Sequence, residues 1–319
     1  MSGDNHQPLF HGIIPPLATP LKEQNAIDHA GLERLINHVV NGAVHALFIL
    51  GTTGEAPSLS HELRLEMVRA SCTITAKRIP VLVGITDTSY TETVRLGHAA
   101  AEAGASGLVV APPYYFLYTQ EDLIRYVERL AGELPLPILL YNIPQFTKVA
   151  FAVETVKRAS QIPHVVAIKD SSGDLDYLGQ LSQSVRHRGD FGVFIGPEEK
   201  LVDGMQAGAC GGVCGGANLF PKLFVEIYNR VRNNDWAQAR RLQNLVCGIG
   251  AAVYNVGDSE TSYLRGLKAA LASKRICSDL VAQPFARFSE EQREMLDERL
   301  SNLASEEVGD PMIAPLLSS

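Results

Sequence analysis

The chain has 319 residues, 46% hydrophobic and 20% charged, enough ordinary globular sequence for one large core or two smaller ones. Its formal net charge is -7 and no long Lys/Arg cluster stands out, which argues against a nucleic-acid surface. No apolar stretch approaches the roughly 20 residues that cross a bilayer, so no membrane partner is expected. The opening MSGDNHQPLF lacks a basic region followed by an apolar one and does not read as a secretory signal. Cys72, Cys210, Cys214, Cys247 and Cys277 are odd in number and have no framework spacing, so they read as reduced, buried thiols of a cytoplasmic protein.

Residues 1–9 read as a tail. From Gly12 the run GIIPPLAT predicts a first strand, and after Asp28 the positions Leu32, Leu35, Ile36, Val39 and Val40 mark one face of a helix. HALFILG from His45 is a second strand, followed by a helix that Ser60 opens. PVLVGI from Pro80 and GLVVAP from Gly107 follow, and then Thr119 with Asp122 makes a capping signature ahead of Leu123, Ile124 and Val127. PILLYN from Pro137, HVVAIKD from His164, GVFIG from Gly192 and CGGVCGG from Cys210 complete eight apolar runs. Most are too continuously apolar for a half-exposed strand, as befits parallel strands covered on both faces.

A strand–loop–helix unit recurring about every 30 residues is the footprint of a (β/α)8 TIM barrel, which takes roughly 250 residues. We assign it residues 10–232. A doubly wound sheet is the rival, but its glycine-rich dinucleotide turn after the first strand is absent. Three further helices, at 235–253, 261–273 and 289–304, predict a C-terminal helical extension over 233–304. The last of them opens on another capping box, Ser289 with Gln292. Residues 305–319, with Gly, Pro and Ser, read as a loosely held tail.

Barrel chemistry sits at the carboxyl ends of the strands. The second run ends in GTTGE (Gly51 to Glu55), the fourth in PPYY (Pro112 to Tyr115), the fifth in YNIP (Tyr141 to Pro144) and the sixth in Lys169. A free ammonium, with a pKa of about 10.4, is a poor nucleophile near neutrality; desolvation favours the neutral amine. A lysine among tyrosines and aliphatics is therefore a candidate Schiff-base nucleophile toward a ketone or aldehyde. It also fits a lysine snorkelling at a strand end. Thr52 and Thr53, after a glycine that lets the backbone turn close to a ligand, suit a small carboxylate or simply a polar loop. Tyr141 inside an apolar run is a proton carrier for that amine or a core tyrosine. Tyr114 and Tyr115 form a solvent-shielding aromatic patch or a subunit contact. GACGGVCGGAN lacks the P-loop lysine and reads as a strand that leaves room for substrate. The nine histidines fall in no ligand spacing, and the Cys210–Cys214 pair has no matching Cys/His pair, so no metal is expected; no organic cofactor is expected either, because the lysine itself would supply the electrophile.

GTTGE, PPYY, YNIP and IKDSSGD, in this order and spacing, resemble the dihydrodipicolinate synthase and N-acetylneuraminate lyase superfamily. The resemblance spans roughly Phe10 to Leu303. It implies a (β/α)8 barrel with a C-terminal helical extension and a class I Schiff-base lyase of 2-oxo acids. Lys169 would then be the Schiff-base lysine and Tyr141 the general acid/base. Thr52 would link Tyr141 to Tyr115 in a proton relay. Tyr115 would reach into a neighbouring subunit, implying a homodimer or homotetramer. Thr53, beside Gly51, would hold the carboxylate of a pyruvate-like substrate with backbone N–H groups. Val213 would line the site through its carbonyl.

One departure bears on the substrate. Where the lysine-pathway synthases carry an arginine for the incoming aldehyde's carboxylate, this chain has Phe146, and a phenyl ring cannot form a bidentate ion pair. Lys148, two residues on, is a possible substitute. GITDTSYTE also lacks the asparagine usual at the synthases' feedback site. KDSSGD and GGVCGGAN look more like the sugar-acid and 4-hydroxy-2-oxoglutarate aldolase branches, whose hydroxylated substrates would suit Ser171, Ser172 and Thr147. Helix capping explains Ser171 and Ser172 equally well. The expected activity is cleavage or dehydration of a 2-oxo-3-deoxy sugar acid or 4-hydroxy-2-oxoglutarate. The alternatives are condensation of pyruvate with aspartate semialdehyde and a non-catalytic 2-oxo acid binding protein.

Overall fold

The computed structural model describes residues 7–257, 261–307 and 312–317. Eight parallel strands form one sheet: β1 (Gly12–Ile13), β2 (Leu47–Ile49), β3 (Val81–Gly84), β4 (Gly107–Val110), β5 (Ile138–Asn142), β6 (Val165–Asp170), β7 (Gly192–Ile195) and β8 (Gly211–Gly212). Neighbours in the sheet run β1-β8-β7-β6-β5-β4-β3-β2. A parallel bridge between Pro16 and Phe48 joins the two ends, with Phe48 N donating to the Pro15 carbonyl at 3.0 Å. The sheet is thus closed into a barrel, as the eight apolar runs predicted. A hairpin of Leu21–Glu23 with Ala26–Ile27 was not foreseen; KEQN between two aliphatics carries no strand pattern.

Between and after the strands lie α1 (His29–Asn41), α2 (His61–Thr75), α3 (Tyr90–Glu102), α4 (Gln120–Glu133), α5 (Pro144–Thr147), α6 (Val153–Ala159), α7 (Leu175–Ser184), α8 (Leu201–Gln206) and α9 (Pro221–Arg232). The start signals hold as chemistry. Asp28 accepts from Gly31 N at 2.9 Å and Ser60 from Leu63 N at 3.2 Å. Both capping boxes close: Asp122 N donates to Thr119 Oγ1 at 3.2 Å, and Ser289 N to Gln292 Oε1 at 3.0 Å. The extension comprises α10 (Trp236–Tyr254), α11 (Ser262–Ser273) and α12 (Glu290–Glu307). The stretch read as a loose tail is packed in part: Ile313 is buried just before α13 (Ala314–Leu317), which lies against α9.

Period-two alternation separates two cores. Leu47, Ile49, Ile138, Leu140 and Ile168 face outward into the layer shared with the helices. Phe48, Leu139, Tyr141, Ala167, Phe194 and Val213 fill the barrel interior. β1 and β8 approach so closely that a Cβ on Gly211 would collide with the backbone of Gly12, which is why this corner of the sheet is glycine. No helix among the described residues is long and apolar enough to cross a membrane.

Candidate active site

Strand register brings the key pair together. Tyr141 and Lys169 are direct partners on β5 and β6, and both lie on the inward face, in line with Leu139 and Ala167 below them. Lys169 is only 6% exposed, so its inward course excludes the snorkelling alternative. Its Nζ lies 4.2 Å from the centroid of the Tyr141 ring and 5.4 Å from that of Phe48. It makes no salt bridge or hydrogen bond among the described residues. The next residue, Asp170, faces the other way. It accepts from Asn142 Nδ2 and Ser172 Oγ, each at 2.8 Å, and burial pushes its carboxyl above the usual range despite these bonds.

Above this pair opens a cavity of about 400 Å³, lined among others by Thr52, Tyr141, Phe146, Tyr263 and Phe285. Lys169 does not line it directly; Tyr141, whose ring the amine overlies, does. The lining is mostly apolar. Among the described residues its one charged side chain is Glu55, and both oxygens of that carboxylate are engaged elsewhere.

The threonine turn stands where the sequence placed it. Thr52 Oγ1 is 3.4 Å from the Tyr141 phenol, a long hydrogen bond. The backbone N–H groups of Thr52 and Thr53 have no acceptor among the described residues, and two adjacent unpaired donors on a glycine turn suit an anion. Gly51 lines the cavity, whereas Thr53 stands just behind it, its Oγ1 2.5 Å from the Tyr263 phenol. Val213 packs in the same interior cluster as Tyr141 and Phe48.

Other expected residues fall elsewhere. Tyr115, at a positive φ of 91°, is 84% exposed and meets Phe116 edge-on rather than Thr52; a single chain does not complete that relay. The Thr147 hydroxyl faces the carbonyls of Ile143 and Val149, at 3.0 and 2.9 Å, so its proton serves its own turn although the residue lines the cavity. Ser171 packs against Gly196, outside the cavity lining, and Ser172 serves Asp170. Lys148 gives its ammonium to the Gln145 carbonyl at 2.9 Å and does not stand in for the missing guanidinium. At GITDTSYTE, Asp87 accepts from Arg64 at 2.8 Å and from His61 at 3.0 Å.

Sequence reasoning missed the contribution of the extension. Tyr263 and Leu264 of α11 line the cavity. Lys268, one turn further along, is fully buried against Glu55 at 2.5 Å. A lysine in the apolar stripe of YLRGLKAAL was the available signal. Glu198 was also missed. This buried carboxylate accepts from Gly216 N at 2.6 Å and from the Tyr254 phenol at 2.8 Å.

A family model for the dihydrodipicolinate synthetase family matches residues 9–303. The chain belongs to that family. Among curated relatives it is 38% identical to a 4-hydroxy-tetrahydrodipicolinate synthase from Salinibacter ruber, covering 74% of this chain and 78% of that one. It is 34% identical to a probable 2-dehydro-3-deoxy-D-pentonate aldolase, YjhH, from Escherichia coli, covering 73% and 78%. Its fold matches a dihydrodipicolinate synthase structure from Bacteroides thetaiotaomicron with a TM-score of 0.90 at 47% identity, over 93% of this chain and 99% of that one. It also matches YagE of E. coli K12, solved with pyruvate, with a TM-score of 0.88 at 29% identity, over 92% and 99%. In keeping with relatives named synthase and aldolase, the chain is a lyase-type enzyme.

Proposed function

We propose that this family member is a Schiff-base lyase of a pyruvate-derived 2-oxo acid. The Lys169 amine attacks the C2 ketone and the carbonyl oxygen leaves as water, giving an iminium. The electron pair of the C3–C4 bond then flows into the iminium. The C4 hydroxyl passes its proton toward Tyr141 as the aldehyde half leaves, the enamine is protonated at C3, and hydrolysis frees pyruvate. Tyr141 moves these protons with Thr52 behind it. The unpaired N–H groups of Thr52 and Thr53 receive the carboxylate. The observation that carries this reading is Lys169 itself, a buried amine with no ionic partner held over the ring of Tyr141. The exposed Tyr115, Phe116 and Leu117 support packing of this loop against a second copy, as a homodimer or homotetramer.

For the aldehyde half we favour a hydroxylated, uncharged group, as in a 2-oxo-3-deoxy sugar acid; 4-hydroxy-2-oxoglutarate, whose aldehyde half carries a second carboxylate, suits this wall less. Phe146 stands 56% exposed on the cavity wall, and among the described residues no cation lines it to meet a further carboxylate. The relative named as a pentonate aldolase supports the sugar-acid choice. The second reading, condensation of pyruvate with aspartate semialdehyde, draws on the names of the Salinibacter and Bacteroides relatives. A screen of 2-oxo acids for pyruvate release, run beside condensation of pyruvate with aspartate semialdehyde, decides between them. Pyruvate release from none of the hydroxylated acids would defeat the favoured reading.

Phe146→Arg supplies a guanidinium at the wall. Its kcat/KM for aspartate semialdehyde is expected to rise about tenfold or more, the worth of one charge-assisted contact to a carboxylate. Unchanged kinetics would mean that position 146 does not select the second substrate.

A further inference from the structure

Among the described residues no cation lines the cavity, so the carboxylate of a 2-oxo acid falls to neutral donors. Two are the N–H groups of the threonine turn. The structure offers a third from outside the barrel strands. Tyr263 lines the cavity, and its phenol oxygen is 2.5 Å from Thr53 Oγ1. A phenol next to a threonine hydroxyl can accept that proton and keep its own for the ligand. Burial pushes the phenol's pKa well up, so it stays protonated.

Three features hold the ring in place. Its edge meets Tyr254 with centroids 4.9 Å apart. A Cβ on Gly215 would collide with the phenol oxygen, so glycine at this position makes room for it. Five residues beyond Tyr263 on the same helix, Lys268 donates to Glu55 at 2.5 Å and to the Leu280 carbonyl, while Ala282 N donates to the other Glu55 oxygen at 2.7 Å. Glu55 ends the GTTGE turn in a left-handed conformation, φ 57°. This ion pair therefore bolts the helix that carries Tyr263 to the loop that carries Thr53.

We propose that Tyr263 is a direct substrate contact, donating its phenol hydrogen to an oxygen of the bound 2-oxo acid, and that the Glu55–Lys268 pair positions it. The inference rests on reading Lys169 as the amine that binds that acid.

The test is borohydride trapping of pyruvate on the full-length enzyme, followed by intact mass and peptide mapping across a pyruvate titration. Tyr263→Phe removes one oxygen and keeps the ring. It should still be trapped at Lys169, at a half-saturating pyruvate concentration about tenfold higher. Thr53→Val should raise that concentration less, and the Tyr263→Phe/Thr53→Val double variant should be no worse than Tyr263→Phe alone, because Thr53 acts through the phenol. Glu55→Gln/Lys268→Met removes both charges and leaves no orphaned ion. It should weaken pyruvate binding while keeping the wild-type circular dichroism, a shift in affinity that a purely structural pair would not give. Wild-type half-saturation in Tyr263→Phe overturns the inference, with the reading of Lys169 intact. No adduct in the wild-type enzyme overturns that reading and the inference with it.

Discussion

Lys169→Ala is expected to abolish adduct formation with pyruvate and to lower turnover by on the order of 10⁴-fold or more, the scale on which deleting a covalent nucleophile acts. The loss is chemical because the iminium has no substitute as electron sink: among the described residues no lysine lines the cavity to take its place. The fold should survive. Lys169 makes no hydrogen bond or salt bridge that alanine would strand, and the truncation only opens space beside the rings of Phe48 and Tyr141. Lys169→Met, which keeps most of the volume, separates a packing loss from a chemical one. Both variants should lose the borohydride adduct while retaining the wild-type circular dichroism. Retained full turnover in either would remove the amine from the mechanism.

That lysine was legible because it breaks a rule. β6 is covered on both faces, so the apolar run HVVAI leads the reader to expect another aliphatic residue, and an amine there calls for an explanation. The strands were legible for the same physical reason: double-sided burial leaves an unbroken apolar signature. The contribution of the extension left a weaker trace. Periodicity tells which face of α11 is buried but not what it is buried against, and Tyr263 finds Thr53 across 210 positions of chain, Lys268 finds Glu55 across 213. Ser172 and Thr147 are harder to read. Short hydroxyl side chains at strand ends suit both a ligand and local groups, and here each donates locally: Thr147 to Ile143 four residues back, and Ser172 to Asp170 two residues back. Tyr115 is a third kind of case. Its chemistry depends on a surface that one chain does not contain, and its exposure is what a single chain can show of that.

Glu198→Gln should make the protein more stable at pH 8.5 and leave it little changed near pH 5. Burial raises the Glu198 carboxyl from an ordinary 4.5 to about 7, with the Glu199 charge adding to the effect and the Gly216 and Tyr254 hydrogen bonds opposing it. The folded-state value therefore lies above the unfolded one. The stability this group contributes is fully present below about pH 4.5 and is lost as pH rises through about 7. A shift of this size corresponds to about 3 kcal/mol at alkaline pH, as an upper bound. Glutamine copies the protonated form: its oxygen can accept from Gly216 N while its amide donates to the Tyr254 oxygen, so both contacts persist without a charge. Thermal or urea unfolding of both proteins from pH 5 to pH 8.5 should give a stability difference that grows in favour of Glu198→Gln across pH 5–8 and then levels off. A difference that stays constant with pH would show that Glu198 does not titrate in this window. Because Tyr254 packs edge-on against Tyr263, the same titration should register at the site as a change in half-saturating pyruvate between pH 6 and 8 in the wild-type enzyme, absent in Glu198→Gln.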